Sequence, residues 1–224
     1  MKMQLVTKKP QTNGVISFVF KPEQPVVWQA GQYLHYRLDH RNPDDRGVER
    51  WFTISAAPFE QNVQITTRFT DKTGSTFKNA LSGLQIGDYI DADTPEGDFL
   101  LDTQAKKHIF VAGGIGITPY RSMLAELNNS DENLQIELLY ANSDDKFVFD
   151  EEIQSFTAKN PNLHIKKFIG NDPTLISNLE QYSKDPGTTF YFSGPRKMVI
   201  DYRDYLVGLN IPKERLKTDF FPGY

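Results

Sequence analysis

The chain has 224 residues, enough for two domains of ordinary size, and its 25 Lys and Arg against 29 Asp and Glu give a net charge of -4. This mild acidity argues against nucleic acid or an anionic membrane as the main partner, and the lack of any cysteine excludes disulfides, a thiol nucleophile, cysteine-ligated zinc and an iron–sulfur cluster held by this chain. No apolar run reaches the length of a signal peptide core or a membrane span, and the four histidines (His35, His40, His108, His164) lack ligand spacing, so we expect a cytoplasmic protein without a metal site.

The first hundred residues have the pattern of an antiparallel β-structure. Short runs such as 15–20 and 63–69 alternate in polarity and end at Gly, Pro, Asn or Asp. A single helix is predicted at 75–84, where three apolar side chains share one face. Five or six short strands with one helix predict a closed or nearly closed barrel, because closure removes exposed strand edges. The charged loop 40–49 is expected to lie outside that barrel.

After residue 102 strands and helices alternate, which predicts a parallel, doubly wound α/β sheet. The predicted strands are 109–112, 135–141, 164–168 and 189–193, and the predicted helices are 119–128, 150–159, 174–182 and 195–209. Because the pattern changes near 103–107, we expect two domains, 1–103 and 104–224.

A glycine-rich turn, 113–116, joins the first strand and helix of the α/β half. Thr118 is predicted as the N-cap of that helix and Pro119 as part of its first turn. Glycines let a ligand approach the main chain, and a helix start presents unpaired N–H groups, so the turn suits a phosphate. The alternative is a tight turn that binds nothing. Pro119 stands where the common Gly-x-Gly-x-x-Gly fingerprint has its last glycine, so the pattern is a different one.

A second glycine-bearing turn, 193–195, follows the fourth predicted strand of this half. In doubly wound sheets ligands bind beyond the carboxyl ends of the strands. Both turns fall at that edge, which favours a binding cleft there.

Four motifs occur in order along the chain. They are Arg50-Trp51-Phe52-Thr53, Gly74-Ser75-Thr76-Phe77-Lys78-Asn79-Ala80-Leu81, Gly113-Gly114-Ile115-Gly116-Ile117-Thr118-Pro119, and Ser193-Gly194-Pro195 with Met198. Together they make the chain resemble the ferredoxin–NADP reductase family over essentially its whole length. The resemblance implies an N-terminal Greek-key β-barrel that binds flavin and a C-terminal nicotinamide-nucleotide domain, with hydride passing between the cofactors at their junction. It also implies FAD in preference to FMN.

In the N-terminal domain the resemblance implies flavin contacts. Arg50 would bind the flavin phosphate or diphosphate, Phe52 stands where the family usually has a tyrosine against the isoalloxazine, and Thr53 could meet the flavin N5 edge. The alternatives are a surface salt bridge, a core phenylalanine and an ordinary strand threonine. The further positions are Thr67, Phe69, Gly74, Ser75 and Thr76. The last three open the predicted helix and suit the flavin phosphates, or they form a plain helix cap.

In the C-terminal domain the resemblance implies contacts with the nicotinamide nucleotide. The positions are Gly114 and Gly116 for the pyrophosphate, Thr118 near the nicotinamide, and Gly194, Pro195 and Met198 at the second turn. Ser193 occupies the place where many members carry a cysteine beside the reacting carbon. It keeps a small polar group there but lacks the polarisable sulfur.

The choice of nucleotide depends on the segment that follows the second strand of the α/β half. Asn142 and Asp144 are the predicted contacts there, and Asp145 stands next to them. A 2′-phosphate favours Arg or Lys, so two carboxylates predict NADH over NADPH, although Lys146 is adjacent.

The chain ends on an aromatic residue, Tyr224, after Pro-Gly. Several members of the resembled family end with an aromatic ring stacked on the flavin. Tyr224 is our candidate for such a lid, which would have to move aside before the nicotinamide could stack. The alternative is a frayed tail.

These observations predict a flavoprotein that takes hydride from NAD(P)H and passes electrons to a separate protein such as a ferredoxin, an oxygenase or a desaturase component. The residues nearest the reacting atoms would be Thr53, Ser193 and Tyr224. One alternative is a flavin reductase that releases reduced flavin, and another is a non-catalytic subunit that only binds flavin or nucleotide.

Overall fold

A computed structural model describes residues 1–12, 14–69, 75–130 and 132–220 of the chain. The chain divides into two compact units, Met1–Leu100 and Leu101–Tyr224, and each unit has a hydrophobic core of its own. Two of the predicted site residues, Gly74 and Tyr224, lie outside the described residues.

The first unit is a six-stranded antiparallel sheet with one α-helix among its described residues, as the sequence predicted. Its elements are β1 (Lys2–Pro10), β2 (Val15–Pro22), β3 (Tyr33–Arg37), β4 (Glu49–Thr53), β5 (Val63–Arg68), α1 (Thr76–Gly83) and β6 (Tyr89–Ala92). The strand order β4-β3-β6-β1-β2-β5 leaves β4 and β5 at the two ends of the sheet. Just beyond β4, the Ser55 N–H donates to the Gln64 carbonyl on β5 at 2.9 Å, which joins those ends.

The core of the first unit fixes where α1 begins. Phe18 and Phe20 on β2 and Ile65 on β5 are fully buried, and α1 places Phe77 and Leu81 against the same cluster. Burying a side chain of this size contributes roughly 1.5–3 kcal/mol. The helix is therefore held by its apolar face, and its N-terminus is fixed beside β4.

The second unit is a five-stranded parallel sheet with helices between its strands, again as predicted. Its elements are β7 (Lys107–Gly113), α2 (Thr118–Asn129), β8 (Gln135–Asn142), α3 (Asp150–Phe156), β9 (Leu163–Ile169), α4 (Thr174–Ser183), β10 (Thr188–Ser193), α5 (Arg196–Gly208) and β11 (Leu216–Asp219). The strand order is β11-β10-β7-β8-β9.

Two details of this unit differ from the predictions. The strand β11 was not predicted, because four residues of mixed polarity at a sheet edge carry too short a pattern. The helix predicted at 150–159 ends at Phe156. Pro161 disfavours a helical Asn160, and the Asn160 side chain instead accepts the Asn162 N–H at 3.0 Å in a turn.

The strand order reverses between β7 and β10. From β7 the chain builds β8 and β9 on one side, then returns to place β10 and β11 on the other. Doubly wound sheets bind their ligands at such a switch point, outside the carboxyl ends of the strands. The ends of β7 and β10 are therefore the expected ligand position, and each is followed by one of the two glycine-bearing turns.

Candidate functional site

Arg50 lies on β4 with only 8% of its surface exposed. One guanidinium nitrogen, Nη2, donates to Asp44 Oδ1 at 2.6 Å. The other, Nη1, donates to the carbonyls of Arg46, Gly47 and Glu49 at 2.9, 3.1 and 2.6 Å. Its Nε is buried and has no hydrogen-bond partner among the described residues. Arg50 thus forms a buried ion pair, and one of its donors is unused within the described part of the chain.

Asp44 lies in the loop between β3 and β4 and binds the start of α1. Its Oδ2 accepts the Thr76 N–H and its Oδ1 accepts the Arg46 N–H, both at 3.0 Å, in addition to Arg50. The Asp44 N–H donates to Thr76 Oγ1 at 2.9 Å, and His40 Nε2 lies 2.9 Å from the same oxygen. Desolvation raises the pKa of Asp44, but the hydrogen bonds from Arg50, Thr76 and Arg46 outweigh it and hold that pKa below its ordinary range.

Further positive charge surrounds the N-terminus of α1. Lys78 donates to the Arg68 carbonyl at 3.2 Å, and burial, together with the charges of Arg46 and Arg50, lowers the pKa of Lys78 to about 8. Ser75 occupies the N-cap position but makes no capping hydrogen bond, and its buried Oγ has no partner within the described part of the chain. A plain helix cap therefore does not account for Ser75.

These observations test whether the residues fit a flavin diphosphate. Phosphate oxygens are suited by a helix start and by the Arg50 N–H and Ser75 hydroxyl that have no partner in the described structure. The donor set fits, and Arg50, Ser75 and Thr76 are the residues that would hold the group. The site also carries more positive than negative charge, and a bound diphosphate would relieve the repulsion among its cations.

The aromatic residues of β4 face opposite sides of the sheet. Phe52 is 5% exposed and packs in the core between Tyr36, 5.9 Å between ring centroids, and Phe77, 5.8 Å away. Trp51 is 44% exposed and stacks on the His35 ring at 4.4 Å. The exposed aromatic ring on this strand is that of Trp51. Phe52 lies in the core, which is the position given above as the alternative to a flavin contact.

The other predicted flavin contacts of the first unit are also buried or partly so. Thr53, at the end of β4, and Thr67, on β5, are 6% and 2% exposed. Phe69, just beyond β5, is partly buried beside Phe18, and its N–H donates to the Gly14 carbonyl at 2.6 Å. Its backbone donor is thus already used within the sheet.

In the second unit the two glycine turns pack directly against each other. A Cβ on Gly116 would lie 2.3 Å from the Ser193 carbonyl oxygen, and a Cβ on Gly194 would lie 2.9 Å from the Gly113 Cα. A Cβ on Gly113 would lie 2.6 Å from the Met198 sulfur. Gly116 and Gly194 are therefore required by the main-chain contact between the turns, whatever ligand binds above them, and Gly113 lies close to a side chain of α5.

Gly114 differs from the other glycines of its turn. Its φ of +53° is left-handed, it is only partly buried, and its carbonyl accepts the Tyr140 hydroxyl at 3.2 Å. The same hydroxyl accepts the Val148 N–H at 3.1 Å. Tyr140, which the sequence did not single out as a contact, fixes the orientation of the turn from β8.

The prediction that Thr118 caps α2 is wrong. A short 3₁₀ helix, Gly114–Ile117, runs into α2, so Ile117 takes the N-cap position and Thr118 is the first helical residue. The Thr118 hydroxyl donates back to the Ile115 carbonyl at 3.1 Å. Pro119 lies in the first turn, as predicted. At α5, Pro195 holds the N-cap position and the helix begins at Arg196.

Ser193 is buried at the end of β10, and its hydroxyl donates to Asp219 Oδ2 at 3.1 Å. Asp219 ends β11 in register with Ser193. Burial raises the pKa of Tyr120, and the charge of Asp219 raises it further. The Tyr120 hydroxyl donates to the Val111 carbonyl at 3.1 Å. Sequence reasoning missed Asp219 because β11 was not predicted, and only a strand assignment at 216–219 could have revealed the pair.

The segment after β8 uses its polar groups internally. The Asn142 amide donates to Asp144 Oδ1 at 2.9 Å and to the Lys146 carbonyl at 3.0 Å, and the Lys146 N–H donates to the same Asp144 oxygen at 3.0 Å. Asp144 thus closes a turn, whereas Asp145 is simply exposed. The two predicted contacts, Asn142 and Asp144, are brought together, with Asp144 at the surface.

Two negative findings concern only the described residues. No group of His, Cys, Asp and Glu there has the arrangement of a metal site. None of the helices found there is both long and apolar enough to span a bilayer.

Comparisons with known proteins match either the second unit or most of the chain. Residues 110–204 match the family described as Oxidoreductase NAD-binding domain. A flavohemoprotein of Rhodopirellula baltica is 26% identical over 246 residues, 97% of this chain and 59% of that protein. The carnitine monooxygenase reductase subunit of Escherichia coli K12 is 29% identical over 178 residues, 79% of this chain and 54% of that protein.

Among solved structures, the flavohem-like FAD/NAD binding domain of nitric oxide dioxygenase from Vibrio cholerae has a TM-score of 0.80 with 21% identity, and the similarity covers 98% of each chain. This likeness shows the fold. The present chain spans between half and three-fifths of the length of the two curated relatives.

Proposed function

We propose that this chain, which is a two-domain ferredoxin–NADP reductase-like oxidoreductase of the FAD- and NAD-binding type, carries electrons from NADH through bound FAD to a separate acceptor protein. The observation that supports it best is the pairing, in one chain, of a cationic helix start with unused donors and a parallel-sheet switch point with two glycine turns. When bound, the flavin would supply the redox chemistry by accepting hydride from the nicotinamide and releasing electrons singly or in pairs.

The first unit would hold FAD by its diphosphate. Arg50 Nε and Ser75 Oγ are buried donors without partners in the described structure, and the Thr76 N–H points out of the same helix start. Lys78 adds charge to this site. Several cationic groups around a helix start favour a diphosphate over a single phosphate ester, which supports FAD rather than FMN.

The second unit would hold the nicotinamide nucleotide at the switch point. Gly114 and the start of α2 would face the pyrophosphate, and Ser193 would lie beside the reacting ring. The Ser193 hydroxyl donates to Asp219, which holds it in one orientation, so Ser193 would present a fixed oxygen to the ring. The exposed carboxylates Asp144 and Asp145 favour the free 2′-hydroxyl of NADH over the phosphate of NADPH.

The acceptor is proposed to be a ferredoxin, an oxygenase or a desaturase component. The sequence has no cysteine, so any iron–sulfur step belongs to another protein or domain. The Escherichia coli relative is named as the reductase subunit of a monooxygenase, which supports an acceptor of the oxygenase class.

A second candidate function is a flavin reductase that releases reduced flavin. The burial of Phe52 favours it, because the ring expected to cover the isoalloxazine packs in the core instead. A flavin without that contact would be held less tightly.

Anaerobic titration with NADH and NADPH, followed at flavin wavelengths, tests the proposal. We expect purified protein to carry yellow FAD, identified after extraction, and NADH to bleach it at lower concentration than NADPH. A colourless protein that consumes added flavin with NADH would favour the flavin reductase. Bound flavin that neither nucleotide reduces would contradict both functions and leave a non-catalytic subunit.

A further inference from the structure

The carboxylate of Asp44 takes the donors that a phosphate would need. It accepts from Arg50 Nη2 at 2.6 Å, from the Thr76 N–H at the start of α1 at 3.0 Å and from the Arg46 N–H at 3.0 Å. Two of these donors, Arg50 and Thr76, are the groups assigned above to the flavin diphosphate. A carboxylate bound by a guanidinium and a helix N-terminus resembles a phosphate in charge and in hydrogen bonding.

The loop that carries Asp44 is docked by the same contacts. The Asp44 N–H donates to Thr76 Oγ1, and His40 Nε2 lies 2.9 Å from that oxygen. Around these contacts the side chains of Arg41, Asp45 and Arg46 are exposed. The loop is thus joined to α1 chiefly through Asp44 and His40.

Two further donors near Asp44 are buried and unused among the described residues. Arg50 Nε and Ser75 Oγ have no partner among the described residues, and Arg50 is more than nine-tenths buried. A diphosphate that binds at Arg50 and the start of α1 would require the donors that Asp44 already occupies.

We propose that Asp44 competes with the flavin diphosphate for Arg50 and the start of α1, an inference that rests on the proposed function. This competition sets how tightly the chain binds a phosphorylated flavin. Diphosphate binding displaces the carboxylate, which moves to solvent with the loop 40–47. The Asp44 side chain thereby lowers the affinity for FAD while leaving the contacts with the ring system unchanged.

Asp44→Asn and Asp45→Asn provide a matched pair of variants. Each removes one negative charge from the same loop, but only Asp44 contacts Arg50 and Thr76, and Asp45 is exposed. Flavin-free protein is titrated with FAD by fluorescence quenching, and with riboflavin, which has no phosphate. We expect Asp44→Asn to lower the FAD dissociation constant about tenfold, the size of one charge-assisted hydrogen bond. Asp45→Asn should change it less than about twofold.

Riboflavin separates this competition from a general effect on the site. Its affinity should be the same in the wild-type protein and in both variants. Thermal melting of the flavin-free proteins checks that each is folded, and Asp44→Ser serves as a second variant if Asp44→Asn does not fold.

Three results would overturn the inference. Weaker FAD binding by Asp44→Asn would make Asp44 a positioning residue for Arg50. Equal FAD binding by the wild-type protein and Asp44→Asn, or equal gains for FAD and riboflavin, would show that the carboxylate does not compete with phosphate. In contrast, a wild-type protein that binds neither flavin would contradict the proposed function itself, which is a distinguishable outcome.

Discussion

At the scale of single residues, the start of α1 brings together more cationic groups than the Asp44 carboxylate neutralises. Arg50 lies on β4 and Lys78 on α1, and the charges of Arg46 and Arg50 contribute to the low pKa of Lys78, near 8. Burial contributes more than either charge, because the ammonium group loses water when α1 packs. An anion at this point would relieve both the desolvation and the repulsion.

Arg50→Lys tests the geometry of the donor rather than its charge. Lysine keeps the charge but lacks the planar fork that serves Asp44 and three carbonyls at once. We expect the FAD dissociation constant to rise at least about tenfold, measured by flavin fluorescence. Arg37→Lys is the control, since Arg37 is exposed and, among the described residues, forms its ion pair with exposed Asp39. Equal affinities for Arg50→Lys and wild type would exclude Arg50 as a phosphate ligand.

Lys78 should make FAD binding depend on pH. Its pKa is about 8 in the flavin-free protein, and a bound diphosphate would raise it. Below pH 8 Lys78 is protonated in both states, so affinity is constant. Above pH 8 binding must take up a proton, so affinity falls with rising pH, by at most about tenfold per pH unit. Titrations between pH 6 and 10 would measure this slope.

Lys78→Arg is the control for that prediction. Arginine stays charged over the whole range, so its affinity should be flat across pH 8. The charged groups that act on Lys78 are the cations Arg46 and Arg50, and the pKa of the nearby Asp44 is held below its ordinary range, far from pH 8. A slope that persists in Lys78→Arg would assign the pH dependence to another group.

At the scale of elements, the contact between the two glycine turns decides how β7 and β10 end. Both strands deliver a turn to the same edge, and the turns touch through main-chain atoms at Gly116 and Ser193. Side chains larger than hydrogen would separate the strand ends. The nucleotide position therefore depends on this contact even where no glycine touches the ligand.

Gly116→Ala should disrupt that contact. The new methyl group would lie 2.3 Å from the Ser193 carbonyl oxygen, so the turns must move apart. We expect a loss of about 1–3 kcal/mol in the free energy of unfolding and weaker binding of NADH, measured by thermal melting and flavin reduction. Gly208→Ala is the control, since a Cβ there meets nothing within 4 Å, and it should be neutral or mildly stabilising. Unchanged melting of Gly116→Ala would contradict the packing role.

At the scale of the whole molecule, the composition limits how many electrons the chain can store. Without cysteine it cannot hold an iron–sulfur cluster by thiolates, so one flavin is the expected redox centre. The proposed function then requires an external acceptor for every turnover.

Anaerobic reduction should therefore end at one NADH per chain. A flavin takes up two electrons, which is the number that one NADH delivers. The endpoint is read from flavin absorbance against added NADH, with protein concentration determined independently. An endpoint at two or more NADH per chain would show an additional redox centre and contradict the single-flavin interpretation.

The sequence by itself determined the two folds. Alternating polarity before residue 103 and alternating strands and helices after it are local patterns, and they predicted the antiparallel sheet, α1 and four of the five parallel strands. Residues 216–219 were not predicted as a strand, because a short edge strand of mixed polarity shows no periodic pattern. The motifs also located both glycine turns and Arg50.

Only the tertiary structure decided which side chains face the core and which residues from different elements contact each other. Phe52 and Trp51 are neighbours in the sequence, and their sides were settled by pairing β4 with β3, where Phe52 lies opposite the buried Leu34. Asp44 lies in a loop that the sequence predicted to be outside the barrel, and its contact with Thr76 spans 32 residues of chain. The contact between Asp219 and Ser193 spans 26 residues. Such contacts leave no periodic signal, because they are made by the packing of elements and not by the conformation of any one of them.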